Sequence, residues 1–215
     1  MVELSLYHIR GGEKGGLAEY KLTTPLDEKT VRELTVGDIV YLSGTIYTAR
    51  DEAHIHILDD LRKGREVNIP LKGAVIYHCG PILKREDSGW KVVAAGPTTS
   101  TRMNTLEPEF IEKMGIRGII GKGGMSKRVS EALVKYGAVY LSFTGGAAVL
   151  AANGIKAVKG VYYEELGMAE AVWVLEVKDF GPLIVGMDAK GNSLYEKVES
   201  EVERNIAKVK QMLGI

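Results

Sequence analysis

One cysteine, six prolines and no long apolar run are what this 215-residue chain has little of. The single thiol, Cys79, permits no internal disulfide and points to a reducing, cytosolic setting. It also excludes a four-thiolate metal cluster held by this chain alone. The longest apolar runs are far shorter than a bilayer crossing requires. The opening MVELSLYHIR has no cleavable apolar core of the kind a secretory signal needs. Net charge is missing as well, because 28 Lys and Arg balance 28 Asp and Glu. That balance argues against a dedicated nucleic-acid or membrane-surface protein.

Glycine is what is abundant, at 26 residues. The glycines gather at the ends of apolar runs, which marks turns and close backbone approaches rather than a flexible linker. Hydrophobic content of 45% and charged content of 26% are ordinary for a soluble globular protein. The length suits one large domain or two small ones. The order of elements favours one compact domain over residues 1–215.

Leu4–Ile9 and Ala18–Leu22 read as extended, with a loop at Gly11–Gly16. Pro25–Leu34 reads as a short helix and Asp38–Tyr47 as a strand. Thr48 and Asp51 have capping-box spacing for a helix carrying Ala49, Ala53, Ile57 and Leu61, ended by Gly64. The middle then alternates. Ala74–His78, Val92–Ala95, Gly118–Ile120 and Ala138–Phe143 read as strands, and Glu109–Met114 and a helix capped by Ser126 lie between them. The tail returns to β at Ala171–Val177 and Leu183–Met187. It ends in a helix, Ser193–Leu213, whose stripe of Val198, Val202, Ile206, Val209 and Leu213 predicts a buried face. The expected class is α/β.

Three segments carry chemistry. Arg50 falls at the start of a helix, where free N–H groups and the dipole favour an anion. His54 follows at four residues on the same face, placed to order a neighbouring group or shuttle a proton. A surface arginine and a packing histidine are the plain alternative, and Asp51 reads as a cap rather than an acid. The second segment, Thr98-Thr99-Ser100-Thr101-Arg102, sets hydroxyls and a guanidinium beside one turn. A threonine can act in proton transfer only if nearby cations stabilise its alkoxide. Lys122, among glycines in Gly118–Ser126, offers such a cation.

The Lys122 loop has two other readings. It fails as a nucleotide P-loop, because Ile116 stands where a glycine is needed and Gly123 follows the lysine. Gly121–Gly124 has the spacing of an RNA-clamping GXXG loop. Neutral net charge and a strand-like approach through Ile116–Ile120 stand against that module, which needs a helix there. The histidines lack zinc-ligand spacing. Cys79 and His78 read as packing residues, and Tyr162–Glu165 as a solvated loop.

The ordered set GTIYTARDEAH, GAVIYHCGP, AAGPTTSTRM, GIIGKGGM, FTGGAAVLAA, EELGMAEAVWVLEVKDFGPLIV and DAKGNSLY resembles the β subunit of two-subunit class I fumarases. It is similar also to the C-terminal domain of the single-chain enzymes and to the tartrate dehydratase β subunit. The resemblance covers about Leu34 to Tyr195 and implies a three-layer swivelling β/β/α domain. It implies a hydro-lyase interconverting malate and fumarate, in the cytoplasm, as part of an α2β2 assembly. Its 4Fe–4S cluster is held by the cysteines of the α subunit and acts as a Lewis acid on the C4 dicarboxylate. By motif, the substrate arginines fall on Arg50 and Arg102, the catalytic threonine on Thr98 and the active-site lysine on Lys122. His54 is a supporting residue. The acid, the cluster ligands and a further histidine have no counterpart in this chain.

Overall fold

The computed structural model describes residues 7–9, 17–87 and 89–214. The expected Gly11–Gly16 loop and the first half of the expected Leu4–Ile9 strand lie outside them. Strand β1 (Tyr7–Ile9) pairs with β2 (Glu19–Thr23), and helix α1 (Glu28–Glu33) leads to β3 (Ile39–Thr48). Helix α2 (Asp51–Arg62) precedes β4 (Val75–Tyr77). A hairpin of β5 (Ile82–Glu86) and β6 (Gly89–Ala94) follows, then a 3₁₀ turn at Ser100–Met103 and α3 (Glu107–Met114). Next come β7 (Gly118–Gly121), α4 (Lys127–Tyr136) and β8 (Val139–Ser142). The chain finishes with α5 (Ala148–Gly154), β9 (Ile155–Tyr162), β10 (Val172–Met187) and α6 (Leu194–Leu213).

Strands β3, β4, β7 and β8 pair in that order, each parallel to the next. The long β10 runs antiparallel to both β8 and β3, so the pairing returns to where it began. Strand β2 adds to β3, and β9 adds to β10.

Period-two alternation divides the core into two. Val75 and Tyr77 of β4, Ile120 of β7, and Val139 and Leu141 of β8 face a cluster with Leu42, Trp173, Leu175 and Leu183. Ile76, Ile119 and Tyr140, from the same three strands, face Ile57 and Leu58 of α2, Phe110 of α3, and Val129 and Leu133 of α4. The parallel strands therefore have strand residues against one face and helices against the other, the three β/β/α layers expected of an α/β fold. Both faces are apolar, as a doubly covered parallel sheet requires.

Local signals explain most boundaries. Asp27 caps α1, accepting a 2.8 Å hydrogen bond from the Thr30 N–H. Gly137 ends α4 in the left-handed conformation, at φ 66°. Other expectations are corrected. The Thr48 hydroxyl donates to the Ala171 carbonyl and accepts from the Trp173 N–H, so it bonds strand to strand and caps nothing. Arg50 is the N-cap residue of α2. The expected Ala171–Val177 and Leu183–Met187 are one strand. Two register shifts, one across Asp179 (φ 48°) and one across Pro182, hide its continuity in sequence. Strand β6 lies in a hairpin and not in the main sheet, with Val93 exposed. Strands β5 and β9 were not expected at all.

The largest correction concerns α6. Its stripe of Val198, Val202, Ile206, Val209 and Leu213 is exposed, each residue by 48–66%. The helix is anchored at its start, where the Ser193 hydroxyl accepts from the Glu196 N–H and the Tyr195 and Ser142 hydroxyls lie 2.7 Å apart. No helix among the described residues is long and apolar enough to cross a membrane.

Candidate active site

Parallel strands place the loops that follow them on one edge, the carboxyl end at which parallel α/β sheets, open or closed, bind ligands. Arg50 follows β3, His78–Gly80 follow β4, Lys122 follows β7 and Thr144–Gly146 follow β8. Four sequence-distant segments meet there for that reason alone.

The Pro97–Ser100 segment lies among them. Pro97 bridges Cys79, and Thr99 bridges Lys122. The Thr98 N–H donates to the His78 carbonyl at 2.7 Å, and the Ser100 N–H to the Lys122 carbonyl at 3.0 Å. Thr98 is thus held by backbone between the loops after β4 and β7, half-buried, just before the 3₁₀ turn. Gly145 approaches the Lys122 side chain so closely that a Cβ there would lie 3.0 Å from its Cδ.

Two carboxylates organise the arginines. Asp51 bonds Arg102 at 2.8 Å and faces the Arg50 Nε at 3.8 Å, so one carboxylate joins both guanidinium groups. Glu170 holds the Arg50 Nη2 at 3.1 Å. Gly80 lets Arg50 lie flat across its loop, since a Cβ there would meet Nη1 at 2.7 Å. Burial pushes the Glu170 carboxyl upward against the pull of Arg50. The Arg50 Nε is buried with no hydrogen-bond partner among the described residues. Arg102, with its side chain 48% exposed, keeps donors open to solvent.

Behind this layer lies a fully buried one. The His54 ring Nδ1 is 2.6 Å from the Arg50 carbonyl oxygen, and its Nε2 is 3.3 Å from the Glu107 Oε2. The His78 Nε2 is 3.0 Å from the same oxygen, and its Nδ1 is 2.9 Å from the Ser100 hydroxyl. The Tyr140 hydroxyl reaches Ser100 at 2.9 Å and the Gly123 carbonyl at 2.8 Å. Burial favours neutral imidazoles, but the Glu107 charge raises His54 above its ordinary value, while His78 stays below its own. Burial also opposes the Glu107 carboxylate, and the two imidazoles overcome it, holding the carboxyl low, at about 2.

The structure therefore brings Arg50 and Arg102 together through Asp51, and ties Thr98 to Lys122 through the backbone of residues 98–100. His54 has no exposed surface and supports the Arg50 carbonyl from behind. Asp51, expected as a cap, is instead the carboxylate between the arginines. Ser100 turns its hydroxyl inward and adds nothing to the open face. His78, expected only to pack, belongs to the buried layer. Cys79 is the small buried residue expected, its thiol pushed up to about 12 by burial. Glu107 and Glu170 were missed. Glu107 sits in the first turn of α3, where an acid is explained by the helix dipole alone. Glu170 is 118 residues from the Glu52 N–H that its carboxylate accepts, a contact only tertiary structure makes.

Known proteins are similar to this chain over most of its length. The family described as Fumarase C-terminus matches residues 7–198. A Methanocaldococcus jannaschii protein provisionally named L(+)-tartrate dehydratase subunit β is 50% identical over 191 residues, 88% of this chain and 96% of that protein. The L(+)-tartrate dehydratase subunit β of Escherichia coli strain K12 is 42% identical over 80% of this chain and 85% of its own. A Geobacillus stearothermophilus protein, provisionally named a class I fumarate hydratase, is 43% identical over 88% of this chain but only 36% of its own, longer length. Matched over most of its length by this family and by relatives of two enzyme names, the chain belongs to the fumarase C-terminus family.

Proposed function

We propose that this chain is the β subunit of an iron–sulfur hydro-lyase that interconverts fumarate and L-malate in the cytoplasm, working with a cluster-bearing α subunit. The observation that carries the reading is the strand-end edge. It gathers two arginines, a lysine and a half-buried threonine on one side of the sheet, in a family whose named relatives are dehydratases and hydratases.

The chemistry needs a base for one carbon-bound proton and cations for a dicarboxylate. Arg50 and Arg102 offer planar N–H pairs that match carboxylates. Thr98 takes the C3 proton of malate, and Lys122 with the arginines stabilises the aci-carboxylate charge that develops. Asp51 and Glu170 keep the arginines extended before substrate arrives, so a dianion meets a rigid pair of forks rather than two flexible chains. The one thiol of this chain is buried and joined by no second cysteine, which fits a 4Fe–4S cluster held by cysteines of the partner. Bound there, the cluster supplies a Lewis acid for the departing hydroxyl. The general acid also belongs to the partner, and the assembly is an α2β2 heterotetramer.

A second reading, L(+)-tartrate dehydratase, is favoured by the names of two relatives that this chain spans nearly end to end. The substrates differ by one hydroxyl, which a few pocket contacts read. RNA binding through Gly121–Gly124 is disfavoured, because that loop follows strand β7 and no helix precedes it.

Co-expression with the partner, anaerobic cluster reconstitution and assays on a panel of C4 and C5 dicarboxylates test the proposal. The complex turns over fumarate and malate, and the isolated chain turns over nothing. Turnover by the isolated chain would overturn the shared site, and preference for tartrate would select the second reading.

A further inference from the structure

We propose that His54, His78 and Glu107 form a closed structural site for one divalent first-row transition-metal ion, directly behind the arginine-bearing edge. Helix α2 contributes His54, the loop after β4 contributes His78, and the first turn of α3 contributes Glu107. Their ligand atoms lie within 4.8 Å of one another, and all three side chains have zero exposure.

Spacing supports a metal. A tetrahedral ion with nitrogen and oxygen ligands at 2.0–2.1 Å sets neighbouring donors about 3.3 Å apart. The two Nε2–Oε2 separations are 3.3 and 3.0 Å. Two imidazoles on one such ion have ring centres roughly 5 Å apart, and these rings are 5.5 Å apart at 69°.

Direction supports it further. Among the described residues, neither Nε2 atom nor either Glu107 oxygen meets hydrogen-bond geometry. Two imidazole nitrogens face one Glu107 oxygen at close range without aligning on it as hydrogen bonds. Native interiors seldom leave such a group unless an ion or water completes it.

The outer contacts fit as well. The Arg50 carbonyl can only accept, so the His54 Nδ1 carries the hydrogen and a neutral ring turns the Nε2 lone pair inward. The His78 Nδ1 likewise has a hydroxyl partner in Ser100. Metal-bound histidines show this pattern, with the distal nitrogen bonded to a carbonyl or other polar group. Two imidazoles and one Glu107 oxygen give three donors and no thiolate, with the fourth position left to a buried water, a set suited to zinc and its first-row neighbours rather than to magnesium or calcium. With all three donors at zero exposure, no substrate reaches the ion and it is structural. It ties the Arg50 carbonyl, Ser100 of the threonine segment and α3 to one point.

The test uses the full chain purified without a metal-affinity step. Elemental analysis should find about one equivalent of a first-row metal, retained through gel filtration. Chelator should lower the melting temperature, and zinc should restore it in a concentration-dependent way. Folded Glu107→Gln and His78→Gln should hold less than about a tenth of an equivalent and show no zinc-dependent shift. If neither variant folds, cobalt substitution of the native chain decides. Four-coordinate visible bands without thiolate charge transfer support the site, and a hydrated six-coordinate spectrum overturns it. Background metal with no zinc-dependent melting shift in the native chain overturns it too, leaving a protonated His–Glu–His triad. Equal metal content in a folded Glu107→Gln chain does the same.

Discussion

The strand-end edge and helix α6 depart from ordinary burial in opposite directions. At the edge, His54, His78 and Glu107 are fully buried although all are ionisable. On α6, five aliphatic residues are about half exposed although they are spaced as a core stripe. Exposed apolar groups are common on protein surfaces, whereas buried ionisable groups are rare and must be compensated. The edge is therefore the region where removing one group disturbs others, and the helix stripe is where removal disturbs little in the chain alone.

Substitutions ordered by expected effect test that contrast. Leu133→Ala, in the stripe of α4 that is buried, should destabilise by about 2–5 kcal/mol, read from denaturant melts. A loss below about 1 kcal/mol would mean that helical spacing predicts burial no better in α4 than in α6. Next come the arginines. Arg50→Ala and Arg102→Ala should each weaken dicarboxylate binding in the assembled enzyme by about 1.5–3 kcal/mol. They should differ in stability. Arg50→Ala also strands the partly buried Glu170, whereas the more exposed Arg102–Asp51 pair contributes about 0–1 kcal/mol. Equal stability losses would contradict the tighter seating of Arg50 against the partly buried Glu170. Smallest is α6, where Val202→Gln and Ile206→Gln should each change stability of the chain alone by no more than about 0.5 kcal/mol. A larger loss in the same melts would show the stripe to be covered.

Much of this was legible before the structure, for identifiable reasons. Strands β3, β4, β7 and β8 are apolar runs ending at polar or glycine-rich turns, so their chain order and the loops that follow them read directly. Arg50 and Lys122 sit in those loops, Thr98 and Arg102 in the segment after β6 that packs among them, and motif resemblance chose all four. The capping misreading of Thr48 and Asp51 has a plain cause, since spacing alone cannot separate a cap from a strand residue and an ion-pair partner. Strands β5 and β9 lie where burial alternates weakly, so period two hardly shows. The stripe of α6 was read correctly as a face and wrongly as a covered one, because periodicity reports which residues share a side and not what lies against them. The Glu107 network was illegible because its members are separated by 24 and 29 residues of sequence, from 54 to 78 and from 78 to 107, and carry no ligand-like spacing.

The most direct measurement is single-turnover and steady-state kinetics of Thr98→Val in the assembled enzyme, with subunit assembly and cluster content matched to the native complex. The valine keeps the side-chain shape and removes only the hydroxyl. The account predicts that kcat falls by at least ~10²-fold, with substrate affinity nearly unchanged because Arg50 and Arg102 remain. A variant turning over at near the native rate would contradict it, and would move the proton-transfer role first to Lys122 and then to the partner subunit.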